Sequence, residues 1–227
     1  YMKNEIFLED LAEPTNIKIK VDNEFTRQLF ERASKCKKPH CNLEFIKRLK
    51  LKPTTKYVNT TIYGWINKDV PISIDLLSEL MILAEVRWSE IDKNISYISS
   101  KTNRIKIDNI FPIKIDKKLG SIIGHILGDG SIDKKYSHVF FSNSEKELLK
   151  EFSTNMKTIF NIEPRIWMQK APDYGNTQWD KRINSIEELT EGRNGGLFYP
   201  TICGLILNAI FEGFAIGKNK IITSIII

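Results

Sequence analysis

Asp129 stands between two glycines at the end of the stretch LGSIIGHILGDGSI, residues 119–132, where Gly120, Gly124 and Gly128 recur at intervals of four. An interior glycine costs a helix about 1 kcal/mol relative to alanine, so three on one stripe need a compensating gain. A stripe without side chains lets a second helix backbone come close, by the logic of small-xxx-small packing. If two such helices pack side by side, their Asp129 carboxylates meet at the end of the seam. Paired carboxylates beside phosphate oxygens form a divalent-cation site, and a symmetric seam suits in-line hydrolysis of both strands of a duplex.

The other metal-ligand types do not gather in this way. Cys36, His40 and Cys41 lie together in CKKPHC, but a structural zinc site needs four ligands, and only His125, His138 and Cys203 remain as Cys or His elsewhere. No zinc site is expected. Three cysteines, an odd number, argue against a disulfide framework and fit a reducing, cytoplasmic compartment. No apolar run approaches the roughly 20 residues needed to span a bilayer, and the amino terminus lacks a signal pattern, so no membrane partner is expected. The terminal KIITSIII reads as a strand or as the stub of something longer.

The net charge of +6 and pI near 9.1 favour a polyanionic partner. Residues 1–115 carry 20 basic against 15 acidic residues and residues 116–227 carry 14 against 13, so the excess sits in the first part. Within it, Arg32 to Lys56 holds nine basic side chains against Glu44 alone.

The expected class is α+β, a mostly helical part followed by an αββαββα part. NIKIKV, residues 16–21, reads as a strand and residues 23–34 as a capped helix. A helix through Leu43, Ile46 and Leu49, the breaker KPTT, a short helix around Asn59 to Ile66 and an amphipathic helix from Ile74 to Ala84 come next. A further short helix is expected with Ser89 as its cap, running through Ile91 and Ile95. Residues 99–115 alternate and contain Pro112, which reads as an extended linker. The implied domains are 1–98, with a helix-turn-helix at about 43–84, and 116–227, joined by 99–115.

The passage NTTIYGWINKDVPISIDLLSELMILA, residues 59–84, resembles the recognition-helix region of lambda-repressor-like and related archaeal helix-turn-helix domains. That resemblance places Thr60, Thr61 and Tyr63 toward base edges and Lys56 and Lys68 toward phosphates.

In the second part, Asp116 should cap a helix whose apolar surface is Leu119, Ile122, Ile123, Ile126 and Leu127, with Asp129 leaving it and Gly130 turning the chain. IIGHILGDG, residues 122–130, resembles the LAGLIDADG motif of homing endonucleases and intein endonuclease domains, and the elements expected from Ser131 onward resemble the family's order. SHVFFS reads as a strand, Ser144 as a cap with Glu147 in the capping-box position, and Leu148, Leu149, Phe152, Met156 and Ile159 as a buried helix face. EPRIWMQK and LFYPT read as strands, Ile202 to Phe214 as a helix, and residues 171–196 as an aperiodic loop or extended hairpin. Strand alternation puts Ile166 and Met168 beneath the sheet with Val139 and Phe141. His138, Phe140, Ser142, Arg165, Trp167 and Gln169 then face a DNA major groove.

The resemblance implies a site-specific double-strand DNA endonuclease, of the kind that moves introns or inteins. It would use Mg2+ (or Mn2+) held by Asp129 from each of two domains with help from the Gly128 carbonyl. Lys218 and Lys220 in IGKNK are the candidates for the charge-stabilising lysine. The sequence holds one such motif, so the second acid must come from a homodimer partner, through the Gly120, Gly124 and Gly128 helix, or from a second domain. A regulator that joins a LAGLIDADG-like domain to a helix-turn-helix without cutting, and an RNA maturase, are the alternatives. Retention of Asp129 argues against the regulator.

Overall fold

A computed structural model of the chain describes residues 4–11, 16–39, 42–51, 55–100, 105–135, 137–169 and 179–210. Lys218, Lys220, KIITSIII, His40, Cys41 and the far end of the helix expected to reach Phe214 lie outside the described residues. By compactness the chain divides into Glu13–Phe111 and a second unit made of Tyr1–Ala12 and Pro112–Ile227. The stretch read as a linker is therefore shared between the units, because its apolar residues enter sheets.

The first strand of the chain, β1 (Glu5–Ile6), belongs to the second unit. Glu13–Phe111 then runs β2 (Ile17–Val21), α1 (Asn23–Ser34), α2 (Leu43–Arg48), α3 (Thr55–Asn67), β3 (Ile72–Ser73), α4 (Ile74–Ala84), α5 (Trp88–Asp92), β4 (Ile95–Ser100) and β5 (Lys106–Ile107). Helix predominates as expected, but an antiparallel sheet in the order β3-β2-β4-β5 accompanies it. Ile95 opens β4 instead of continuing a helix: pairing with β2 buries Ile98 completely, and tertiary pairing overrides the local helical reading. The short helix before it has Arg87 at its N-cap, two residues earlier than Ser89, and the Glu90 carboxylate accepts from the Arg87 N–H at 3.2 Å. α3 likewise starts at Thr55, four residues before Asn59.

The core of this unit forms where α1 meets α3 and α4. Trp65 stacks on Phe30 at 5.8 Å, and Phe45 meets Phe30 edge-on at 6.2 Å. Asp22 caps α1 by accepting from the Glu24 and Phe25 N–H groups. Lys20 is buried among them. Its Nζ donates to the carbonyls of Trp65 (2.9 Å) and Lys68 (2.8 Å) and to Asn23 Oδ1 (2.6 Å), so it satisfies acceptors at the carboxyl end of α3. Burial holds its pKa below the ordinary lysine value, against the opposing pull of Asp69 and Asp22.

On the surface Asp69 pairs with Lys106, whose ammonium lies 4.3 Å from the Tyr97 ring centroid. The hydrogen bond from Lys106 lowers the Asp69 pKa below 3.8. A carboxyl lowered on folding adds stability above its unfolded value, and that stability is lost as pH falls through the folded value. Asp69→Asn is therefore expected to lower the melting temperature slightly at pH 6, with the difference shrinking as pH falls below the ordinary aspartate value, a comparison that two thermal scans make.

The second unit pairs β1 with β6 (Ile113–Lys114) and then runs α6 (Lys117–Gly128), β7 (Gly130–Ile132), β8 (Val139–Asn143) and α7 (Lys146–Phe160). It continues with β9 (Arg165–Gln169), β10 (Trp179–Ile183), a 3-10 turn (Ile186–Glu188), β11 (Gly195–Tyr199) and α8 (Thr201–Ile210). All pairings are antiparallel, in the order β10-β9-β11-β8-β7. Among the described residues the pattern is αββαβββα, one strand more than αββαββα. The stretch 171–196, read as aperiodic, contains β10 and opens β11, which sits at the centre of the sheet. Its Gly195 and Gly196 hide the strand pattern but fit the space: a Cβ would lie 2.7 Å from Leu149 Cδ1 at Gly195 and 2.8 Å from the Trp179 ring at Gly196.

One sheet face is covered by helix. Val139, Phe141 and Leu197 are fully buried on it with Leu149, Phe152, Met156 and Phe160 of α7, and Phe141 and Phe152 lie 4.6 Å apart. The cap of α7 is Glu145 instead of Ser144. Asn155 and Phe160 complete its buried face, where Leu148 and Ile159 are only half-buried. Among the described residues no helix is long and apolar enough to cross a membrane.

Candidate functional site

α6 is built as its sequence demands. Asp116 accepts from the Lys118 and Leu119 N–H groups at 2.9 and 3.1 Å, and Leu119, Ile122, Ile123 and Ile126 face the core. Gly120, Gly124 and Gly128 are exposed on the other side, and a Cβ built on any of them meets nothing within 4 Å. The stripe therefore does nothing for packing within the unit. His125 has a structural place: its ring packs on Phe141 at 5.0 Å and on Phe152 at 5.8 Å, with Nε2 3.8 Å from Glu151. Glu151 in turn accepts from Ser121 Oγ (2.7 Å), which accepts from Asn155 Nδ2 (3.1 Å), so a polar network ties α6 to α7.

Asp129 ends α6 as its C-cap, and its side chain is exposed. Asn143, at the end of β8, donates from Nδ2 to Asp129 Oδ2 at 3.0 Å. The Asn143 side-chain Oδ1 accepts from the Glu145 N–H at 2.9 Å, which commits that oxygen and turns the amide nitrogen toward Asp129. Sequence reading missed Asn143. Its signal is a polar residue two positions beyond Phe141, on the alternation that should be apolar. Gly130 is needed for a reason other than a turn. It has no left-handed backbone, but a Cβ would lie 2.7 Å from Ile126 Cα and 2.9 Å from the Phe140 carbonyl oxygen, so only glycine lets β7 start so close to α6.

An exposed carboxylate is a hard oxygen donor and fits Mg2+ or Mn2+. Among the described residues no three His, Cys, Asp or Glu side chains converge as a metal cage. Cys36 and Cys203 are free thiols, and burial pushes the Cys203 pKa up, which makes it an inert packing residue.

The sheet face away from α7 gathers the residues that alternation assigned to it. Register sets Phe198 of β11 between Phe140 and Arg165, and Gly196 between Ser142 and Trp167. Arg182 of β10 pairs with Trp167 and shares its side, and Trp179 pairs with Gln169. His138, exposed, precedes β8 and accepts from the Asp133 N–H at 2.9 Å through its carbonyl. Phe198, Trp179 and Arg182 are additions to the expected set. They escaped notice because β10 and β11 were not read as neighbours of β9.

In the Glu13–Phe111 unit, Thr60, Tyr63 and Asn67 of α3 open onto a groove of about 530 Å3 that Arg27, Glu31 and Lys37 also line. Tyr63 is 55% exposed, with the Lys68 ammonium 5.7 Å from its ring centroid. Thr61 is half-buried and is not among the groove's lining residues, and Lys56 falls on the described backbone of α3 with its side chain outside the described residues. The first turn of α3 lies at Thr55, so Thr60 to Tyr63 occupy its middle instead of its start. The link from α3 to α4 contains β3, paired with Lys18 and Ile19 of β2, where a helix-turn-helix reading expects a tight turn.

Residues 116–194 match the family model for a LAGLIDADG-like domain. No curated protein and no solved structure matches the chain.

Proposed function

We propose, from the premise that residues 116–194 are a LAGLIDADG-like domain, that this chain is a site-specific double-strand DNA endonuclease of the homing type, completed when two copies pair along α6. The observation that carries the reading is the open glycine stripe of α6 ending on a carboxylate that Asn143 holds. In a pair related by a two-fold axis, the stripe lets the helices approach and brings Asp129 of each copy to the seam.

Asp129 and the Gly128 carbonyl would hold Mg2+ or Mn2+. When bound, the cation lowers the pKa of an attacking water and offsets charge on the phosphate. The chain's own residues do the rest. Asn143 fixes the rotation of the Asp129 carboxylate, and Lys218 or Lys220 offsets charge that develops on the phosphate. The open sheet face lies in the major groove, with Arg165, Gln169, Ser142 and His138 as polar contacts and Phe140 and Trp167 as apolar ones. α3, through Lys56, Thr60, Thr61, Tyr63 and Lys68, adds a second duplex contact, and the net charge of +6 supports a polyanionic partner. Arg27 and Lys37 belong with that contact because they line the same groove. Mobility of an intron or intein is the role such cutting serves.

The test is incubation with a randomised duplex library and Mg2+. Metal-dependent double-strand cuts that vanish in Asp129→Ala support the reading, and tight binding without cutting by either protein overturns it. Asn143→Ala leaves Asp129 in place but frees its carboxylate. Cleavage is expected to fall about 10–100-fold, the usual cost of losing a residue that orients a metal ligand, with half-saturation shifted to higher Mg2+. A cleavage titration against Mg2+ reads both numbers.

A further inference from the structure

The middle of the open sheet face is apolar. Phe140 and Phe198 lie with ring centroids 4.6 Å apart, and Trp179 meets them edge to face at 5.3 and 5.8 Å, with interplanar angles of 72° and 90°. All three rings are half-exposed. Trp179 reaches over Gly196, where any side chain would collide with it. Beside this patch β9 and β10 carry Arg165 and Arg182.

We propose that this aromatic patch reads the C5-methyl groups of thymine, so that the target duplex carries thymines where the patch lands. The inference rests on the reading of this face as the duplex-binding one. In the major groove thymine alone among the natural bases presents a methyl group, and apolar side chains recognise it by contact. The phenyl rings of Phe140 and Phe198 have no donor or acceptor with which to read another base edge. Their two arginines match the phosphates that flank a groove, which gives the apolar centre a charged rim suited to a duplex. Stacking of unpaired bases needs open ring faces, and each edge-to-face pair with Trp179 already covers one ring face.

A randomised duplex pool is selected on the unaltered chain, and the selected duplexes are remade with deoxyuridine in place of thymidine, which deletes the methyl groups and leaves pairing intact. Selected sites are expected to be enriched in thymine, and the deoxyuridine versions to bind on the order of 5-fold more weakly or worse, the low end of one lost base contact. Trp179→Ala and Phe140→Ala, each checked for native circular dichroism, are expected to bring that ratio toward one. Equal binding of both duplexes overturns the inference while the endonuclease reading stands. So does an unchanged ratio in the folded variants. Preference for a single-stranded pool overturns it in favour of base stacking, and failure to bind any duplex removes the reading on which it rests.

Discussion

Asp129→Ala is expected to reduce double-strand cleavage to background, a loss on the order of 1,000-fold or more, while duplex binding stays within a few-fold of the parent. The two effects separate because Asp129 is an anion. Its removal deletes no direct contact to phosphate and, without the cation, lowers repulsion from the backbone. Stability of the fold should change little, because relief at the helix end is offset by loss of the hydrogen bond from Asn143. Asp129 sits at the carboxyl end of α6, where the helix dipole disfavours a negative charge by roughly 0.3–1 kcal/mol. The helix has an acid where stability wants one, at the Asp116 cap, and a second acid where stability does not. An acid kept at the unfavourable end of a helix and oriented there by Asn143 is the pattern expected of function. Cleavage, filter binding and thermal unfolding on one preparation check all three outcomes, and a variant that loses its activity only by unfolding at the assay temperature contradicts this assignment.

Gly124→Leu should have the opposite signature in the assembly. In one copy a Cβ at Gly124 meets nothing within 4 Å, and replacing an exposed helical glycine by leucine gains up to about 1 kcal/mol of helix propensity. Two leucines on facing stripes would hold the helices apart by more than a side chain's thickness. The expected result is a chain that unfolds at the same or a higher temperature, sediments as a monomer and does not cut. Loss of cutting in a variant that still pairs would place the stripe outside the interface.

Much of this arrangement was legible in residue order. The ends of α1 and α4 and the end of β2 arise from caps and periodicity that tertiary contacts only reinforce. α6 was legible down to its cap, because its apolar face and its glycines obey one 3.6-residue period. The missing pieces share a cause. β4 and β11 are buried at sheet centres yet contain Ser99, Ser100, Gly195 and Gly196, residue types that mask a strand until its neighbours are known. Lys20 alternates correctly as a polar position of β2, but nothing local indicates that it turns inward to bond the carbonyls ending α3. Asn143 was hidden for a related reason: its partner lies 14 residues back, across a hairpin, and only the fold brings its amide to Asp129.

The dependence of double-strand cleavage rate on chain concentration, at fixed duplex and saturating Mg2+, tests most directly whether the site is completed by a second copy. Below the pairing constant the rate is expected to rise with the square of the concentration and then to become linear as pairing saturates. Added Asp129→Ala chain should suppress it by forming mixed pairs. A rate linear in concentration throughout, from a species that sediments as a monomer, would contradict a site shared between two copies of Asp129.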